Sequence, residues 1–115
     1  MGEFAAIDRF RRLLPGHPAA GETWIGDDAA VVGTPSRGWL LMAADAVVAG
    51  VHVDLSLCGL DDLGWKALAV NVSDIAAMGG RPAHALVTVA GPPEVQLDLL
   101  YRGICLLYTS DAADE

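Results

Sequence analysis

"LGWKALAVNVSDIAAM", residues 63–78, decides how the rest of the chain is read. Asp61 or Asp62 stands where a helix cap belongs, and Gly79 and Gly80, with Pro82 beyond, stop the run, so the spacing predicts one long helix. Ala67, Asn71, Asp74 and Met78 fall at i, i+4, i+7 and i+11 and share one face of it. The other sides are almost wholly small and apolar. An ionised carboxylate buried there without a partner is prohibitively costly, so Asp74 demands one. Lys66, eight residues back, is roughly 12 Å away along the axis and cannot pair with it inside the helix. A metal ion, a distant arginine or a wet face remain.

Working outward, "WIGDDAAVV" (24–32) sets Asp27 and Asp28 side by side at the mouth of an apolar run. Two such charges repel by about 4 kcal/mol at 4 Å in a partly screened site, so a cation or open water must relieve them. Ala29–Val32 and Trp39–Ala44 read as strands, and "GTPSRG" (33–38) between them predicts a hairpin, with Asp45 where the second strand ends. "AGVHV" (49–53) continues extended, followed by a loop carrying Cys58 and Gly59. "EFAAIDRFRRLL" (3–14) spaces Phe4, Ile7, Phe10, Leu13 and Leu14 as one face of an amphipathic helix that Pro15 and Gly16 end. Downstream, "AHALVTVA" (83–90) reads as a further strand, and Glu94–Ile104 resumes helical spacing. The order predicts an α+β fold, a mixed sheet with helices packed on one face.

The chain has 115 residues, 53% of them hydrophobic, enough for one domain with a core. A formal charge of −8 is the wrong sign for bulk attraction to nucleic acid or an anionic membrane, so a phosphate-bearing partner must bring cations. The longest apolar run, residues 39–53, carries Asp45 in its middle and is too short to span a bilayer. No apolar leader follows Met1, and Ala6 breaks a myristoylation pattern, which makes the cytoplasm the expected location. Cys58 and Cys105 lack CxxC spacing and suggest neither a disulfide framework nor zinc. "NVS" (71–73) fits a glycosylation pattern but lies inside the expected helix. "CLLYTSDAADE" (105–115) has the look of translated sequencing adapter rather than gene, which sets the expected domain at 1–104 and a foreign tail at 105–115.

Asp28, Asp45 and Asp74 each stand at the end or edge of an apolar element, and three such carboxylates suit a hard divalent cation such as Mg²⁺, shared with substrate phosphates. The plainer alternative makes them a turn residue, a strand-end acid in water and a surface helix residue. His52 by itself reads as packing or solvent-facing, and Lys66 as a phosphate contact or a solvated side chain.

"GEF", "IGDDAAVV", "AADAVVAGVHV" and "LGWKALAVNVSDIAAMGGRP" together resemble the N-terminal domain of the thiamine-monophosphate kinase family, within the aminoimidazole ribonucleotide synthetase-like superfamily. The resemblance covers residues 3–104, and GDD, GVH and NxSDxAAMG at these separations are specific in combination. It implies ATP-dependent phosphorylation of thiamine monophosphate to thiamine diphosphate by direct in-line transfer, with Mg²⁺ bridging the phosphates to aspartates. Carried over, it makes Asp28, Asp45 and Asp74 metal ligands and His52 a contact to the thiamine phosphate; it assigns no catalytic acid or base. Where the family often has Ser or Thr before the strand-end acid, this chain has Ala43 and Ala44, which leaves Ala44 to serve the metal site through its carbonyl or a water. No GxxxxGK[ST] loop is present, so the phosphates would be held by metal rather than by a P-loop. The resemblance further implies a homodimer that pairs its sheets, and an enzyme needing a downstream Gly-Gly-Asp region and a second domain, so that this chain is an inactive fragment by itself. Other readings are a selenophosphate synthetase-like or hydrogenase-maturation-like relative, or a non-catalytic metal-binding dimerisation module.

Overall fold

Residues 2–113 are described by the computed structural model. Elements run α1 (Glu3–Leu13), β1 (Ala30–Thr34), β2 (Gly38–Met42), α2 (Leu60–Ala77) and α3 (Leu97–Ala113). The α+β expectation holds. The chain divides into two units: one joins the segment up to Ala44 with Asp74–Arg81, the other joins Asp45–Ser73 with the segment from Pro82 onward.

In the first unit β1 and β2 form an antiparallel hairpin, with Ala30 opposite Met42 and Thr34 opposite Gly38. Thr34 Oγ1 donates to the Gly38 carbonyl (2.8 Å) and accepts the Arg37 N–H (3.1 Å), closing a three-residue loop. Gly38 takes φ +76°, which a residue with a Cβ adopts only under strain. Thr23 pairs with Val31 through N–H···O bonds of 3.0 and 2.7 Å on the other side of β1. Glu22 beside it clips the segment down, its carboxylate accepting the N–H groups of Ala19 and Gly33, both at 2.9 Å. α1 buries none of its residues, and an exposed helix of three turns is marginal alone. Arg11 holds it, donating to the Ile25 carbonyl at 3.2 Å and pairing with Asp8 at 3.4 Å.

α2 begins earlier than the apolar run suggested. Leu60 is its first residue, and Asp62 sits in the first turn, where its carboxylate accepts the Gly59 N–H at 3.0 Å. Its end follows the sequence closely. Gly79 turns to φ +74°, its N–H bonds the Ala76 carbonyl (2.9 Å), and the Gly80 N–H reaches back to Ile75 (3.0 Å), the paired bonds of a Schellman stop.

The second unit has a small core of Val53, Leu63 and Leu100, flanked by Val47, Cys58, Leu60 and Ile104. α2 and α3 meet here through two glycines. A Cβ on Gly64 would strike the Leu100 carbonyl, and one on Gly103 would strike the Asp61 carbonyl, so each helix presents a bare backbone to the other.

Two expectations change. Residues 83–90 form no strand and are exposed throughout, since an apolar β-prone run becomes a strand only against a partner and none is paired with it among the described residues. Among the described residues the sheet is the two-stranded antiparallel β1–β2 hairpin rather than a larger mixed one. The helix expected over 94–104 starts at Leu97 and runs to Ala113, across part of the suspected tail; residues 114 and 115 of that tail lie outside the described residues. No described helix is long and apolar enough to cross a membrane. Cys58 and Cys105 are free thiols.

Candidate functional site

Asp27 and Asp28 lie exposed in the bend before β1. Gly26 enters it at φ +116°, and the Asp27 carboxylate accepts the N–H of Asp28 at 2.9 Å. Open water and one backbone donor thus relieve the pair, and the Asp28 carboxylate has no protein partner among the described residues. Ala29, the next residue, is 5% exposed, so the bend leads straight into a buried position. Asp74, half-buried near the end of α2, belongs to the same unit as Asp28.

Asp45 opens the second unit, exposed in the unpaired segment after β2, and Ala44 just before it is exposed too. Asn71 of α2 donates to the Ala67 carbonyl at 2.8 Å and lies 3.5 Å from the Asp45 carbonyl, tying the strand exit to the helix. Asn71 and Asp74, three residues apart, share a helix face as the periodicity requires.

His52 sits in a turn built from backbone bonds. The N–H groups of Val51 (3.1 Å) and His52 (2.8 Å) both donate to the Val48 carbonyl, and Gly50 donates to Val53 (2.8 Å). The Val48 N–H donates to His52 Nδ1 at 2.8 Å. Lys66 of α2 donates from Nζ to the His52 carbonyl at 2.9 Å. Sequence spacing did not reveal this contact; the one available signal was a glycine preceding the histidine by two. Just after the turn, Asp54 accepts from the Ser56 hydroxyl (2.7 Å) and N–H (3.0 Å), and these bonds hold its carboxyl below the usual carboxylate range. Bonds from Gly33 first and Ala19 second do the same for Glu22.

Among the described residues no three His, Cys, Asp or Glu side chains are grouped closely enough to enclose a metal by themselves. The donors are nevertheless suited to a hard cation: Asp28 and Asp45 each offer exposed carboxylate oxygens committed to no cationic side chain among the described residues. Magnesium keeps waters and takes one or two carboxylates plus substrate phosphates, so it does not need an all-protein cage.

The family described as AIR synthase related protein, N-terminal domain, matches residues 26–108. The chain is 40% identical over 91 residues to the thiamine-monophosphate kinase of Bacillus subtilis, covering 76% of this chain and 28% of that protein. It is 41% identical over 93 residues to the enzyme of that name from Salmonella typhimurium, covering 79% and 28%. Against its namesake in Aquifex aeolicus, identity is 36% over 102 residues, 89% of this chain and 31% of that one. The chain thus spans less than a third of the length of these relatives. No solved structure matches it.

Proposed function

The chain belongs to the AIR synthase related protein family as its N-terminal domain, and on that footing we propose that it serves an ATP-dependent kinase converting thiamine monophosphate to thiamine diphosphate in the cytoplasm. The observation that carries the reading is the run of relatives named thiamine-monophosphate kinase at about 40% identity. The exposed, unpaired carboxylates of Asp28 and Asp45 support it independently.

In this reading Asp28, Asp45 and Asp74 are the carboxylates that hold Mg²⁺, with the Ala44 carbonyl or a water where a hydroxyl is lacking. Magnesium, when bound, neutralises the phosphate oxygens and the charge that spreads over the transferred phosphoryl group. His52 donates to the phosphate of thiamine monophosphate, and the acidic surface keeps free anions out until they arrive with metal. No side chain acts as nucleophile, because the acceptor phosphate attacks directly. The domain works as a homodimer and with a nucleotide-binding portion outside residues 1–104. By itself the chain is inactive.

The test is a chimera in which this chain replaces the matching segment of the Bacillus subtilis kinase. With ATP and Mg²⁺ it should form thiamine diphosphate from thiamine monophosphate and should not turn over selenide or carbamoyl substrates. Asp74→Asn should reduce turnover about 100-fold or more, the scale of removing one transition-state contact, with the helical signal intact. A chimera that folds and dimerises yet never consumes ATP would favour a non-catalytic metal-binding module.

A further inference from the structure

We infer that Lys66 is a positioning residue, whose ammonium locks the 48–53 turn so that His52 presents a single N–H donor, at Nε2, to a phosphate oxygen. The inference rests on the reading of His52 as the substrate contact. A backbone N–H can only donate, so the 2.8 Å bond from Val48 requires a lone pair on His52 Nδ1, and the neutral ring then carries its proton on Nε2. The ring is exposed, and Nε2 has no partner among the described residues. An anion approaching it meets a donor rather than a lone pair.

That arrangement holds only while the turn does. Gly50 adopts φ +84°, and the turn is anchored on one side by Val53, 8% exposed against Leu63 and Leu100. On the other side the anchor is Lys66. Its Nζ has no carboxylate partner among the described residues, and its bond goes to the His52 carbonyl at 2.9 Å. The bond is charge-assisted and fixes the very residue whose ring must point outward. Lysine is thus drawn to a backbone oxygen of the turn, and phosphate is left to the imidazole.

The experiment is amide exchange and long-range ¹H–¹⁵N correlation of the imidazole in the 115-residue chain, wild type, Lys66→Met and Lys66→Arg. Wild type should show a bare Nδ1 and a protonated Nε2 on His52, and a protected Val48 amide. Lys66→Met should speed Val48 exchange about tenfold, the scale of one charge-assisted hydrogen bond, with α2 amides unchanged; Lys66→Arg should restore protection. A Val48 amide indifferent to Lys66→Met while α2 stays protected overturns the inference. Should Lys66→Met unfold α2, wild type decides, since a proton on Nδ1 of the neutral ring also overturns it. Thiamine monophosphate added to the wild-type chimera separates the two readings: a locked ring that ignores the ligand contradicts the substrate role and leaves the positioning role standing.

Discussion

Glu22 is gripped by two backbone donors, Gly33 and Ala19, and both favour the ionised form, so its pKa lies below its ordinary value. For a carboxylate lowered on folding, the stabilisation is complete above the unfolded pKa and is lost as pH falls through the folded one. Glu22→Gln should therefore lower the urea midpoint at neutral pH, and the gap from wild type should narrow as pH falls below the ordinary Glu range. A gap that stays constant with pH would contradict the clip. Asp54, lowered by the Ser56 hydroxyl and N–H, obeys the same sign, and Ser56→Ala should raise its pKa in a carboxylate titration followed by NMR. The acids proposed for magnesium were visible in the sequence because each interrupts an apolar run. The grip on Glu22 was not, because Gly33 is eleven residues away and only the hairpin brings it close.

At the level of elements, the end of α2 was legible in its glycines, whereas its start falls at Leu60, with Asp61 and Asp62 in the first turn rather than at the cap. Asp62 reaches back to Gly59, and Gly79 can take the left-handed turn that stops the helix. Gly79→Ala should cost about 1 kcal/mol from the Cβ clash in that conformation, read as a fall in thermal midpoint. Gly64 tests the helix contact. Alanine ordinarily stabilises a helix interior by about 1 kcal/mol over glycine, yet here its Cβ meets the Leu100 carbonyl. Overpacking costs about 1–3 kcal/mol, so Gly64→Ala should be net destabilising in denaturant titration, and a stabilised variant would show that the two helices do not touch there. This close approach lay outside sequence reading: two glycines 39 positions apart do not announce that they face each other. Residues 83–90 failed for the converse reason, since alternating apolar residues declare a preference for a sheet without naming the strand to pair with.

On the scale of the whole molecule, much apolar surface faces water. Trp39, Leu40 and Met42 of β2, Val48, Val51, Leu57, and Leu86 to Val89 are all substantially exposed. Scattered exposure is ordinary; the β2 residues in the first unit, and those of 48–57 and 86–89 in the second, are each candidates for cover by another protein surface. Sheet pairing in the proposed homodimer would cover the β2 residues among them. Leu86 is fully exposed, so Leu86→Lys leaves the single chain's packing untouched and should weaken self-association about tenfold or more, one charge desolvated against apolar surface. Sedimentation velocity of the chimera reads this directly; unchanged association would exclude residues 83–90 from the interface. Family membership was legible because its motifs are local runs, whereas the covering partner was not, because a surface says only that it is apolar.

The proposed role of Asp28, Asp45 and Asp74 is to hold magnesium against substrate phosphates, and the Mg²⁺ dependence of thiamine diphosphate formation by the chimera tests it most directly. Asp28→Asn, Asp45→Asn and Asp74→Asn should each move the half-saturating Mg²⁺ concentration upward about tenfold or more and lower the plateau, and chelation should abolish turnover in all. Titration curves for the three variants that overlay the unsubstituted chimera would contradict it.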